Sequence, residues 1–270
     1  MTLQSEAEPA AIALLASDEP APFDLINEAG RLPALLLCDH ASAFIPRSLG
    51  SLGLEETQLA RHIALDIGAG AVTRRLAERL DAPALLAGFS RLIVDPNRIL
   101  DAPSLIPEVS DGVVVPGNQA LLPAAREARI ATFHQPYHDA IEARLEAMVA
   151  AAGSVDAVGV ISVHSLTPVM DGVERPWQVC VLWNRDPRLP VPLMARLRAL
   201  GLTVGDNVPY TGRDTHGYTL HRHAEPRGLP NVLIEVRQDL IDTRHGAEEW
   251  STLLAGALRD VLPEALSGPG

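Results

Sequence analysis

The sequence predicts an α/β protein, a single domain whose sheet carries helices on both faces. Three observations lead there. Apolar runs of strand length recur along the chain and read as buried strands. Segments with helical spacing alternate with them, which is the pattern of a sheet covered on both sides. The 270 residues show no internal repeat, and that length suits one large core.

Residues 1–22 are rich in Ala, Pro, Asp and Glu and read as a flexible arm, which leaves 23–270 as the domain. Pro33 leads into ALLLCDH (34–40), a buried strand ending at Asp39-His40, and ASAFIP follows as a loop. Residues 55–81 have helical spacing with a break near 66–70. ALLAGF (84–89) is another apolar run, and SRLIVDPNR (90–98) reads as a strand running into a Pro-Asn turn. Residues 101–123 hold many Pro and Gly and form a long loop of the kind that is often functional. The clearest helix is 123–152, kinked or divided at Pro136, which has no N–H to give. AVGVISVH (157–164) is a strand ending in His164, and WQVCVLWN (177–184) is another. VPLMARLRALG (191–201) is a helix closed by Gly201. NVLIEVRQDL (231–240) is an apolar strand with charges placed inside it, and 246–266 is a C-terminal helix.

Composition removes several classes of function. With 22 basic and 34 acidic side chains the formal charge is −12, which argues against nucleic acid or an anionic membrane as partner. Every basic residue is arginine, so Schiff-base chemistry, a pyridoxal phosphate anchor and a Walker-type phosphate loop are excluded. Cys38 and Cys180, each inside an apolar run, read as buried reduced thiols. The start of the chain lacks the basic residues of a secretory signal, and no apolar stretch has the length of a membrane span, so the expected location is the cytoplasm. There is no G-x-S-x-G elbow and no H-E-x-x-H.

In a sheet of this class ligands bind at the carboxyl ends of the strands, where His40, Asn97-Arg98, His164 and Glu235 all fall. A histidine at the open end of a buried strand is placed either to cap the strand or to bind a metal such as zinc, which takes imidazole and carboxylate ligands. Glu235 lies in an otherwise apolar strand with Arg237 on the same face. A carboxylate there needs a partner or a task. It is either half of an ion pair with Arg237 or Arg98, or a general base acting on water at a metal. Asn97-Arg98 offers an amide and a planar fork suited to a substrate carboxylate. Residues 212–230, with Asp214, His216, His221, His223, Arg213, Arg222 and Arg227, form either a solvated loop or a specificity loop.

The segments CDHASAFIP, HIALDIGAGAV, SRLIVDPNR, YHDAI, ISVHSLTP and HRHAEPRGLPNVLIEVRQDLI stand in this order across about residues 36–241. As an ordered set they resemble the N-formylglutamate amidohydrolase family, which is related to zinc carboxypeptidases and aspartoacylase-like deacylases. The resemblance implies a mixed, mostly parallel sheet sandwiched between helices, as in zinc carboxypeptidases. It also implies one zinc per chain, held by two histidines and a carboxylate, with a glutamate as general base. His40 and His164 match the histidine positions, Glu235 the catalytic glutamate, and Asn97-Arg98 the pair that grips the substrate carboxylate. The pattern departs at the carboxylate ligand: carboxypeptidases place a glutamate three residues after the first histidine, and here that residue is Ala43. Asp66 is the substitute and Asp39 the second choice.

The implied activity is hydrolysis of the amide bond of an N-formyl or other N-acyl amino acid, such as N-formylglutamate, by zinc-activated water. Arg98 or Arg91 would stabilise the oxyanion with His223 as a neutral donor, and Arg237 completes the substrate-binding candidates. A second substrate carboxylate would need another arginine, for which Arg213, Arg222 and Arg227 are available. Another divalent ion in place of zinc, a different N-acyl substrate, and a metal-free binding domain of the same fold stay open as alternatives, and so does a homo-oligomer. The last of the three functional alternatives rests on Ala43.

Overall fold

The computed structural model describes residues 13–213 and 217–267. Eleven strands are present among them: β1 (Phe23–Ile26), β2 (Ala34–Cys38), β3 (Ala84–Ala87), β4 (Val109–Ser110), β5 (Val113–Val114), β6 (Gly159–Leu166), β7 (Val169–Met170), β8 (Val173–Glu174), β9 (Val179–Leu182), β10 (Val204–Asp206) and β11 (Asn231–Arg237). The α-helices are α1 (Glu56–Leu59), α2 (Ala69–Leu80), α3 (Pro123–Arg129), α4 (Gln135–Ala152), α5 (Pro190–Ala199), α6 (Tyr218–His223) and α7 (Arg244–Ala265).

Seven strands form one sheet in the order β1-β3-β2-β6-β11-β9-β10. β3, β2, β6 and β11 run parallel, as do β9 and β10, whereas β1 lies antiparallel on β3 and β9 antiparallel on β11. The sheet is therefore mixed and mostly parallel. Every residue of β2, β3 and β9 is buried, because layers cover both faces and an unbroken apolar run suits such a strand. A fully buried Leu contributes about 2 kcal/mol, and β2 alone carries three.

Alternation along the strands separates two cores. Leu36, Cys38, Ile161, Val163, Ile234 and Val236 face α2, α5 and α7. α2 presents Ala69, Val72, Leu76, Ala77 and Leu80 at helical spacing, and α7 presents Trp250, Leu254, Leu258, Val261 and Leu262. Leu35, Leu37, Val160, Leu166 and Leu233 face the other way, against Tyr137, Ile141 and Leu145 of α4 and Leu220 of α6. The candidate site lies at the carboxyl ends of β2, β6 and β11.

The predicted helix over 123–152 is divided as Pro136 requires. α3 passes into a π-helical turn, Ile130–His134, and α4 restarts with Pro136 in its first turn. SRLIVDPNR is not a strand: β3 ends at Ala87, and residues 90–98 fold into turns. Their backbone is claimed locally, with Ile93 N donating to Ser90 O, Arg98 N to Asp95 O, and Asp95 N to Leu105 O across the loop. The long loop 101–123 contains the ribbon β4–β5, and β7–β8 is a second ribbon. Each turns on an Asp-Gly pair with both residues at positive φ, Asp111-Gly112 and Asp171-Gly172, which is a hairpin signal the strand reading passed over.

Of the Ala- and Pro-rich N-terminal segment, residues 13–22 lie against the domain. Leu14 is buried, and Arg47 N donates to Glu19 Oε1 at 2.8 Å. Residues 1–12, and Asp214 and His216 of the predicted specificity segment, lie outside the described residues. Among the described residues no helix is long and apolar enough to cross a membrane.

Candidate active site

His40 lies two residues beyond the end of β2, and His164 lies within β6, the neighbouring parallel strand. Asp66 precedes α2, and its backbone N–H is fastened to His40 O at 3.0 Å. These three buried residues can place one ligand atom each within 4.8 Å of one another, and they could hold a metal ion. His40 Nδ1 stands 3.3 Å from Asp66 Oδ1, and His164 Nδ1 stands 2.8 Å from Asp66 Oδ2.

The opposite nitrogens are held from behind. His40 Nε2 meets Asp95 Oδ1 at 2.8 Å, and His164 Nε2 meets Asp39 Oδ2 at 3.1 Å. A carboxylate only accepts, so each Nε2 carries the proton and each Nδ1 turns toward Asp66. His40 Nδ1 is buried with no hydrogen-bond partner, an orphan acceptor aimed at the cluster. Two imidazoles so presented and one carboxylate suit a divalent cation. Asp66 is the carboxylate of this group, and Asp39 backs His164 instead. Alternation along the chain explains the difference: Asp39 points into the α4 layer, where Tyr137 OH and Thr219 Oγ1 donate to its Oδ1 at 3.0 and 2.9 Å. Burial opposes ionisation of Asp66, but the two histidines hold its carboxyl well below the usual range. Burial also disfavours the charged form of His164, yet its bonds to Asp39 and Asp66 raise its pKa to about 10. A cation held at this Nδ1 would therefore displace a proton.

The turn over 90–98 supplies the next layer. Arg91 reaches Asp95 Oδ2 with Nη2 at 2.7 Å and Asp66 Oδ1 with Nη1 at 3.3 Å. Asn97 Oδ1 accepts from Thr219 N at 3.0 Å, which ties the Asn97-Arg98 turn to α6. His138 Nε2 donates to Pro96 O at 2.9 Å, so its Nδ1 is unprotonated and accepts from His223 Nε2 at 2.8 Å. His134, His138 and His223 are buried together beneath the turn. Burial pushes His134 down to about 4 and His223 to about 3, with Arg222 adding to both shifts.

An open cleft of about 160 Å³ joins these parts. It is lined by His40, Asp66, His164, Arg91, Asn97, Arg98 and Glu235, seven of the sequence-predicted residues. Glu235 on β11 is in register with His164 on β6 and with Cys180 on β9. Its Oε2 is buried without a hydrogen-bond partner, and neither predicted ion pair, to Arg237 or to Arg98, forms. Burial pushes its pKa up to about 7, against the pull of His164, Arg175 and Arg91.

Two predicted substrate-binding residues are not brought to the cleft. His223 falls on the inner face of α6 with Thr219 and Leu220, and is spent on His138. Arg237, beyond Glu235 on β11, turns back to Asp239 Oδ1 at 2.8 Å and to Arg175 O at 3.2 Å. The cleft also has residues that the sequence reading missed: His62, Thr167, Met170, Arg175, Leu182, Tyr210 and Leu233. The Asp171-Gly172 hairpin, which folds Arg175 back over the sheet, was the available signal.

A mixed α/β sheet with a histidine–carboxylate cluster and a lone glutamate at its carboxyl edge has the layout of a hydrolase. The chain belongs to the N-formylglutamate amidohydrolase family, whose model matches residues 32–242. Among solved structures it is similar to the gene product Atu2144 of Agrobacterium tumefaciens, at 38% identity and a TM-score of 0.86, over 94% of this chain and 98% of that one. It also shares its fold with the N-formylglutamate amidohydrolase of Ralstonia eutropha JMP134, at 21% identity and a TM-score of 0.74, over 93% of this chain and 100% of that one. No curated protein sequence matches. As a family member the chain is an amidohydrolase, and the family supports activity on N-formylglutamate-like amides.

Proposed function

We propose that the chain hydrolyses the formyl amide of an N-formyl-L-amino acid of the N-formylglutamate class at a zinc centre held by His40, Asp66 and His164. The observation that carries the reading is Glu235: a carboxylate without an ion-pair partner, in register with His164 and open to the same cleft. The nitrogen–oxygen donor set fits zinc, which when bound would acidify water and polarise the formyl oxygen.

The chain's own residues divide the remaining work. Glu235, poised near neutrality, takes a proton from water as its oxygen attacks the formyl carbon. It then returns the proton to the leaving nitrogen as the carbon–nitrogen bond breaks, giving formate and the free amino acid. Arg91, fixed by Asp95, is the guanidinium available to the developing oxyanion. Arg98, on a turn braced by Thr219 and His138, orients the substrate's α-carboxylate.

Metal content and turnover of wild type, Glu235→Gln and His164→Ala test the reading together. About one zinc per chain is expected in the wild type and in Glu235→Gln, and little in His164→Ala. Turnover of N-formyl-L-glutamate should fall about 10²–10⁴-fold or more in Glu235→Gln. Near-normal turnover in that variant would remove Glu235 from the chemistry. Wild type that takes up no metal would remove the centre.

A further inference from the structure

Three arginines line the cleft, and they differ in how their charge is met. Arg91 is neutralised by Asp95 and Asp66. Arg98 donates from Nη1 to Asn97 O at 2.8 Å. Arg175 is only 8% exposed and is held entirely by neutral groups. Its Nη1 donates to Thr167 Oγ1 at 3.1 Å, its Nη2 to Tyr210 OH at 2.9 Å, and its Cζ lies 5.1 Å from the centre of the Tyr210 ring. Among the described residues no carboxylate lies within ion-pair distance of Arg98 or Arg175. A buried guanidinium with no carboxylate at ion-pair distance is costly, and hydroxyls orient it without neutralising it. Such a group is built to meet an anion that arrives with the ligand.

Its position says which anion. The Arg98 turn follows β3, whereas Arg175 stands just before β9, and β2, β6 and β11, with His40, His164 and Glu235, lie between them in the sheet order. Leu182 and Leu233, paired across β9 and β11, supply an apolar wall to the same cleft. Charge, apolar wall and second charge match an amino acid whose side chain has a short methylene stem and its own carboxylate.

We propose that Arg175, oriented by Tyr210 and Thr167, receives the side-chain carboxylate of the substrate and so selects N-formyl dicarboxylic amino acids over neutral ones, a role that rests on the N-formyl amino acid reading above. The arginines that the sequence offered for this task are engaged elsewhere and do not line the cleft: Arg213 lies 5.7 Å from the Trp183 ring centre, Arg222 reaches toward Tyr218, and Arg227 pairs with Glu142 at 2.6 Å. Arg237 contributes at one remove, by donating to the Arg175 carbonyl.

The test compares N-formyl-L-glutamate with its uncharged isostere N-formyl-L-glutamine in wild type, Arg175→Gln, Arg175→Lys and Arg98→Gln. Wild type should prefer the glutamate substrate about 10-fold to 150-fold, the range of a charge-assisted hydrogen bond. Arg175→Gln should lose most of that preference, chiefly through a raised KM for the glutamate substrate. Arg175→Lys should restore part of it, and Arg98→Gln should weaken both substrates alike. Equal losses on both substrates in Arg175→Gln, or no preference in wild type, would overturn the assignment.

Calorimetric binding of glutarate against butyrate gives a reading independent of turnover, with glutarate favoured by wild type and not by Arg175→Gln. If wild type turned over neither formyl substrate yet bound glutarate through Arg175, the hydrolase reading would fail and the anion site would stand. Turnover with no dependence on Arg175 would be the reverse. If Arg175→Gln does not fold, Tyr210→Phe keeps the charge and loosens its aim, and should reduce the preference by about threefold to tenfold. An unchanged preference there would count against the site.

Discussion

Replacing Asp39 by asparagine separates the charge behind His164 from the geometry that holds it. Asp39 is fully buried, accepts from Tyr137 OH and Thr219 Oγ1 on one oxygen, and faces His164 Nε2 with the other. An asparagine in its place has one acceptor and one donor end. The Tyr137 and Thr219 hydroxyls can rotate to accept from the amide, whereas protonated Nε2 of His164 cannot accept while Nδ1 serves the cation. The amide oxygen should therefore settle against His164, preserving shape and tautomer while the negative charge is lost. Carboxylates behind ligand histidines are worth about 10-fold to 100-fold in metal affinity, or roughly 1.4–2.7 kcal/mol. Zinc competition against a chromophoric chelator should show that loss in Asp39→Asn. Tyr137→Phe is the control: it removes one donor to the same carboxylate and leaves the charge. Its zinc affinity should stay within about threefold, and its stability should fall by about 1–3 kcal/mol, a drop of a few °C in Tm. Wild-type zinc affinity in Asp39→Asn would refute the account of how His164 is prepared.

Three further outcomes are expected. Arg98→Gln should lower kcat/KM on every N-formyl amino acid by about 10-fold to 150-fold, because the α-carboxylate is common to all; a loss confined to dicarboxylic substrates would exchange the roles of Arg98 and Arg175. Acid should destabilise the protein through the buried histidines: with folded values of about 4 for His134 and 3 for His223, both below the unfolded 6.5, the unfolded chain binds more protons, so stability is full above pH 6.5 and is lost as pH falls toward 4. In urea titrations between pH 6 and 4.5, His134→Gln should flatten the slope by about one proton, or about 1.4 kcal/mol per pH unit, and an unchanged slope would show that His134 does not titrate between the two states. Gly68 sits at φ +79° before α2, and an added Cβ would meet Ile241 O at 2.3 Å, so Gly68→Ala should cost about 3 kcal/mol or more in thermal or urea unfolding and, through Asp66 two residues before it, weaken zinc binding. A variant as stable as wild type would contradict that close approach.

Much of the fold is local and could be read along the chain. The apolar runs of β2, β6, β9 and β11 are strands because hydrophobic period and length are properties of short segments, and Pro136 divides its helix wherever that helix lies. The residues that come together in the cleft were legible for the same reason, since His40, His164 and Glu235 break or end apolar runs at the carboxyl edge of a parallel sheet. The ordered motifs also carried the family, which the match over residues 32–242 bears out. SRLIVDPNR misled because its apolar side chains fill the core from turns, and burial without regular backbone leaves no period to separate the two.

Pairing across distance belongs to the tertiary structure. In one dimension Asp66 is the first candidate and Asp39 the second, and nothing along the chain decides between them. Only the packing of Tyr137 and Thr219 against Asp39, and of Asp66 against both Nδ1 atoms, separates the carboxylate behind His164 from the one that could hold a metal ion. The same holds for the arginines. Sequence shows that arginine is the chain's sole basic residue, while charge neutralisation depends on which carboxylate comes within a few ångströms. Arg91 is neutralised, Arg237 is turned aside to Asp239, and Arg175 is left facing the cleft because a hairpin between β6 and β9 folds it there. Residue type and period fixed what chemistry is available; the crossing of distant strands decided which groups meet and with what charge.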